Sequence, residues 1–196
     1  MRYDNQINHL LTKQSIIQSS DFVAEGIPTI YLSRLAAKGH LKQVGRGLYI
    51  SDWSQYDEFA IFQLQHKKAI YSYLSALYLH GLTDVLPQYL EVTVYGGYNT
   101  HRFPDEVKVH FTKKEFYSLG KTAVTTTFGN EVWVYDMERT ICDLIANRSK
   151  LEAELFTKAL QAYMGRTDKE LTKLYRYASS MGIGQKVTEL IEVLHE

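Results

Sequence analysis

Apolar and polar positions change their spacing several times within the first fifty residues, and each change marks an element. Ile7, Leu10 and Leu11 fall on one side of a helix over Tyr3–Thr12. Ile16 and Ile17 then read as a short strand, and the polar pair Ser19-Ser20 as the cap of a short helix, Ser20–Glu25. Asp21 and Glu25 suit that helix, Asp21 lying near its positive end. Gly26 turns the chain sharply. A second helix is predicted from Pro28, in its first turn, to Lys38, with Gly39 as its stop. Its inward positions are Ile27, Leu32, Leu35 and Ala36, which leaves Thr29, Tyr31, Ser33, Arg34 and Lys38 facing outward. Two short apolar runs, Leu41–Val44 and Leu48–Ile50, flank Gly45-Arg46-Gly47 as a two-stranded ribbon. Helix, tight turn, helix and ribbon make the pattern of a winged helix-turn-helix, an architecture whose usual work is reading duplex DNA.

Beyond a polar connection at Ser51–Tyr56 the pattern is mixed. The expected division is a winged helix-turn-helix domain over 1–52 and a second domain over 57–196. A helix over Asp57–His66 turns Phe59, Ile61, Phe62 and Leu64 inward, and Lys67-Lys68 lead into a short strand, Ala69–Tyr71. Ser72 caps a helix, Tyr73–His80, that ends at Gly81. Leu90–Tyr95 and Val107–Phe111 alternate as half-buried strands, and Val124–Phe128 with Val132–Tyr135 form a hairpin around Gly129-Asn130-Glu131. Helical spacing then takes over in Glu138–Asn147, Leu151–Met164, a helix to Met181 with a capping box at Thr167 and Glu170, and Val187–Leu194. The fold class expected is α+β, the second domain carrying a small, mostly antiparallel sheet and a helical C-terminal part.

Composition adds bounds. With 196 residues, 45% apolar and 22% charged, the chain is an ordinary globular protein with room for one large or two small cores. No apolar run approaches the roughly 20 residues that span a bilayer, and the opening residues are polar, so a cytoplasmic location without membrane contact is expected. The single cysteine, Cys142, lies on an amphipathic helix in TICDLI and reads as a buried structural thiol; it excludes an internal disulfide and a multi-cysteine zinc site. The net charge of zero hides an asymmetry. Residues 1–50 carry six Lys/Arg against three Asp/Glu, and the remainder carries 16 against 19. The helix-turn-helix half is therefore the basic one, as a nucleic-acid footprint requires.

Candidate chemistry follows from these placements. Thr29, Tyr31 and Ser33 can approach base edges or phosphates, Arg34 can bind guanine bidentately or clamp a phosphate, and Lys38 extends the same face. Arg46 projects from the ribbon tip towards a groove or backbone. A second basic stripe, Arg166, Lys169, Lys173 and Arg176, is a candidate secondary contact to DNA backbone, or to a neighbouring bound copy. No catalytic residue, metal site or cofactor is expected. His101 and His110 lack ligand spacing, and no phosphate-binding loop or nucleophile elbow is present. Asp105 and Glu106, in Pro104-Asp105-Glu106-Val107-Lys108, are adjacent and point apart, unlike the acids of a two-carboxylate nuclease site. Two alternatives stand beside the DNA-reading one: the second domain as an enzyme acting on a protein, nucleotide or nucleic acid, and the winged helix as a protein-binding module.

The segments TIYLSRLAAKGHLKQVGRGLYI, SALYLHGLTD, VTVYGGYNTHRF and DMERTICDLIANRSKLEAELFTKALQAYMGRTDKELTKL, in that order, resemble the AbiE-type abortive-infection antitoxin family (AbiEi) over nearly the full length. The chain departs from the family pattern at Tyr95-Gly96, where a proline after VTV is expected. The resemblance implies a bacterial antitoxin of a type IV toxin–antitoxin system, with phage resistance as the outcome. Its N-terminal winged helix would repress its own operon by binding inverted repeats in the promoter. Its functional partner would be a nucleotidyltransferase-like toxin, neutralised without a stable complex. The protein would be a monomer in solution that binds DNA cooperatively.

Overall fold

The helical spacing of the first residues is realised as α1, Asp4–Lys13, which buries Ile7 and Leu10. Coordinates come from a computed structural model that describes residues 3–51 and 56–195. The polar connection over 52–55, and the domain boundary placed there, lie outside the described residues. By its internal contacts the chain divides into two units, one formed by 1–67 with 125–132, the other by 68–124 with 133–196.

In the first unit α1 is followed by β1 (Ile16–Gln18), α2 (Ser19–Ala24), α3 (Ile30–Ala37), β2 (Lys42–Gly45), β3 (Leu48–Ile50) and α4 (Glu58–Gln65). The three strands form one antiparallel sheet with β3 in the centre. Ile17 pairs with Tyr49 and Lys42 with Ile50, and a register shift between Gln43 and Gly45 leads into the turn. Helix, strand, helix, turn, helix and ribbon is the connectivity expected of the N-terminal segment. The elements enclose a core of Ile7, Leu10, Phe22, Ile27, Leu32 and Leu41, with Ile17 and Tyr49 from the sheet. Burial of each such side chain contributes roughly 1.5–3 kcal/mol.

Two local expectations change. Ser19 and Ser20 lie inside α2 and do not cap it; the preceding residue is the cap, its Gln18 N–H donating to the Asp21 carboxylate at 2.7 Å. Pro28 precedes α3, and the lead-in is a tighter turn in which the Tyr31 and Leu32 N–H groups donate to the Pro28 and Thr29 carbonyls. The helix is thus shorter than the spacing suggests, since tight-turn bonds continue the apolar period without the full helical ladder.

Buried Asp57 ties the first unit together. Its carboxylate accepts the Ala60 N–H at the start of α4 at 3.1 Å, the Thr126 hydroxyl at 2.5 Å and the Asn130 amide at 2.8 Å. Asn130 in turn accepts the Ser15 hydroxyl at 3.0 Å.

A five-stranded sheet, most of whose residues belong to the second unit, runs in the order β6-β5-β4-β8-β7: β6 (Val107–Thr112), β5 (Leu90–Tyr95), β4 (Ile70–Tyr71), β8 (Glu131–Tyr135) and β7 (Lys121–Thr125). The expectation of a mostly antiparallel sheet is corrected. β4 and β5 pair antiparallel, but β5 with β6 and β4 with β8 pair parallel. Alternation says nothing of a strand's direction, and the connection over 96–106 returns the chain to the start of β5. Nor is β5 half-buried as expected, since Leu90 to Val94 are all buried and both of its faces are covered. β5 runs to Tyr95 despite the departure from the family pattern, and the Gly96 N–H donates to the Thr112 carbonyl at 2.8 Å.

Helices α5 (Tyr73–Leu79), α6 (Lys114–Tyr117), α7 (Met137–Ala146), α8 (Ala153–Met164), α9 (Leu171–Ser180) and α10 (Gly184–His195) complete the unit, α6 being absent from the sequence reading. α7 is central: Ile141, Cys142, Leu144 and Ile145 are buried among residues of α5, α8, α9 and α10. The expected capping box at Thr167 does not form. α9 starts at Leu171, and the Glu170 N–H that precedes it donates to the Glu138 carboxylate of α7 at 3.0 Å. A cap supplied by another helix leaves no local spacing to read.

Candidate nucleic-acid interface

The surface of α3 is set by its buried side. Leu32 fills the core, and Leu35 and Ala36 pack against it. At 100° per residue, starting from Thr29, Ser33 lies at about 40°, Ala37 at about 80°, Ile30 at about 100°, Arg34 at about 140° and Lys38 at about 180°. These six residues are all exposed and cover half of the helix circumference. The edges are polar and the middle is apolar.

The wing is held against α2. The Ser19 N–H donates to the Gly47 carbonyl at 2.9 Å, and the Ser19 hydroxyl reaches the same oxygen at 3.4 Å. Gly47 has φ 70, and a Cβ there would lie 3.0 Å from the Ser19 oxygen, so the turn needs glycine. Arg46 is exposed beside it at the ribbon tip and makes no ion pair among the described residues.

The six residues expected to read DNA fall into two groups. Thr29, Ser33 and Arg46 line one open concavity with Ser19, Ile30 and Gly47. Tyr31, Arg34 and Lys38 line a different one, with Asp4, Asn8 and His40. Tyr31 is only partly exposed: it packs on the core and meets the edge of the Tyr3 ring at 5.4 Å, while the Arg34 guanidinium lies over it at 5.4 Å. Arg34 is thereby oriented by a ring, and its charged end remains free for an anion. Ile30, which the sequence reading did not select, stands on the exposed face at 53% exposure. The signal was present, because its angle lies opposite Leu32 and Leu35.

The second basic stripe does not form as a row of free cations. Lys173 Nζ lies 3.1 Å from Asp136, 3.2 Å from Glu138 and 3.1 Å from Glu170. Burial pulls its pKa down, but these carboxylates outweigh that and hold it above the usual lysine value. Arg166 forms a two-point pair with Asp168 at 2.8 Å, Lys169 donates to the Arg166 carbonyl, and Arg176 lies over the Tyr177 ring. Angular spacing on α9 could not show the acids that α7 brings to Lys173.

Other polar groups of the second unit are tied to structure. Arg139, 1% exposed, binds both oxygens of Asp143 at 3.1 Å, donates to the Phe116 and Leu119 carbonyls, and lies over the Tyr135 ring. Gly120 passes so close that a Cβ would sit 2.5 Å from the Arg139 Cβ. His110 contacts Glu91 at 2.7 Å and stacks on Tyr73 at 3.8 Å. The Cys142 thiol faces the Leu174 carbonyl at 3.7 Å, and burial pushes its pKa up to about 12. Among the described residues no group of three or more His, Cys, Asp or Glu side chains is placed to hold a metal ion, and no helix is long and apolar enough to cross a membrane.

The first unit therefore has a helix-turn-helix-like region, with exposed α3 beside a ribbon tip that carries Arg46. Residues 5–51, spanning α1 to the end of β3, match the family model AbiEi_4, described as "Transcriptional regulator, AbiEi antitoxin". Over that segment the chain is similar to the antitoxin regulators of this family. No curated protein matches the chain.

Proposed function

We propose that this protein is an antitoxin that represses its own operon, with 1–52 as the DNA-reading part and 57–196 as the antitoxin part. α3 would enter the major groove, presenting Thr29 and Ser33 on its wing side and Arg34 and Lys38 on its α1 side, while Arg46 follows the backbone or adjacent minor groove. The observation that carries the reading is the continuous exposed surface from α3 to the Arg46 tip, lying within the segment that matches the antitoxin regulators. The site is inverted repeats in its own promoter, bound cooperatively by a chain that is monomeric in solution. The functional partner is a nucleotidyltransferase-like toxin, restrained without a stable complex. The protein acts without catalysis or cofactor, in the cytoplasm, and serves abortive infection.

A titration of the full chain against a duplex from its own promoter tests this. Binding should weaken steeply with salt, because phosphate contacts release counterions. Arg34→Ala combined with Arg46→Ala should remove most of the affinity, while Lys173→Ala should leave it unchanged. Equal affinity for promoter and competitor duplex would instead favour a protein-binding winged helix.

A further inference from the structure

The middle of the exposed face of α3 is apolar, and the chemistry of base edges says what it suits. Ile30 projects between the hydroxyls of Thr29 and Ser33 on one side and Arg34 and Lys38 on the other, with Ala37 two turns further along the same line. The core side of α3 is already occupied by Leu32, Leu35 and Ala36, and Ile30, 53% exposed, lies outside that core cluster. Its side chain instead lines the concavity that Thr29, Ser33 and Arg46 share. In a major groove the apolar group that base edges offer is the thymine C5-methyl; every other distinguishing group there is a hydrogen-bond donor or acceptor.

Resting on the DNA-reading proposal above, we propose that Ile30 is a specificity-determining residue that selects thymine through its C5-methyl at the base step under the centre of α3. The flanking hydroxyls and guanidinium bind polar edges, and Ile30 reads the one feature they cannot. Uracil keeps thymine's hydrogen-bonding groups and lacks only that methyl, so it isolates the contact.

The test is selection of bound duplexes from a randomised library by the full chain, followed by replacement of each thymine in the enriched duplex with deoxyuridine. One or two adjacent replacements should weaken binding about fourfold per methyl, the remainder having no effect. Ile30→Ala should bind the thymine and uracil duplexes alike, so that the two changes are not additive, and its melting temperature should match wild type because Ile30 is outside the core. Enrichment with no thymine sensitive to deoxyuridine, or Ile30→Ala retaining the discrimination, overturns the Ile30 contact and leaves DNA reading intact. Failure of the wild-type chain to enrich any duplex overturns both.

Discussion

At the scale of single residues, burial decides which groups can act. Cys142 is enclosed by α7 and α9 and its thiol pKa lies near 12, so the reactive thiolate is scarce at neutral pH. A thiol reagent should therefore modify folded protein only as fast as it unfolds; rapid labelling under native conditions would contradict that burial. His80 gives a pH signature. Burial lowers its pKa from 6.5, against the raising effects of the Tyr135 carbonyl, Asp136 and Glu138, while Arg166 lowers it further. A histidine whose folded pKa is lowered binds a proton more readily when unfolded, so its stabilising contribution is whole above the unfolded pKa and is lost as pH falls through the folded one. The melting temperature should drop on acidification below about 6.5, and His80→Gln should flatten that slope; an unchanged slope would remove the assignment. Arg139 and Asp143 supply the largest single-residue effect. Arg139→Met leaves a buried carboxylate unpaired and should cost roughly 3–5 kcal/mol in urea melts, with part regained when Asp143→Leu is added.

At the scale of elements, the sequence located most helices and strands because each has one buried face, and a buried face imposes a period. α1 and α8 are of this kind, their periods agreeing with buried Ile7 and Phe156, whereas α7 is buried on every side from Glu138 to Ile145 although its apolar residues keep a helical period. Caps and directions were less legible. The start of α9 depends on Glu138, 32 residues away, and the parallel pairing of β5 with β6 depends on how the connection between them runs. The candidate site divides in the same manner. The outward placement of Thr29, Ser33, Arg34 and Lys38 followed from the period of α3, whereas Tyr31 packs on the core, and the separation of Thr29, Ser33 and Arg46 from Tyr31, Arg34 and Lys38 required the positions of α1 and the wing. The wing itself is testable as an element: Gly47→Ala, forced to positive φ against Ser19, should lower stability by about 1 kcal/mol in denaturant melts. It should also weaken DNA binding to about the extent that Arg46→Ala does, because the turn aims that side chain.

At the scale of the molecule, a net charge of zero conceals a basic segment over residues 1–50, so affinity for DNA belongs to a local surface and not to the chain's total charge. Each of Arg34, Lys38 and Arg46, replaced by alanine, should reduce the slope of log affinity against log salt by about 1 if it neutralises a phosphate. Ser33→Ala should leave that slope alone and alter base preference. Identical slopes across the series would move the contact surface away from α3 and the wing. Stability links the first unit to its last segment through Asp57: Asp57→Ala leaves Thr126 and Asn130 without this acceptor and should cost about 1–3 kcal/mol in denaturant melts.

The sequence by itself determined the order of elements in residues 3–50, the inward side of α3 and the glycine-bounded wing, because these depend on local periods and on backbone angles that one residue type tolerates. Tertiary structure alone decided which charges remain free. Lys173 and Arg46 both read as outward cations in the sequence, but Lys173 becomes the centre of three carboxylates while Arg46 stays exposed at the ribbon tip. Charge availability is set by whichever groups arrive from other elements, and a linear period carries no record of them.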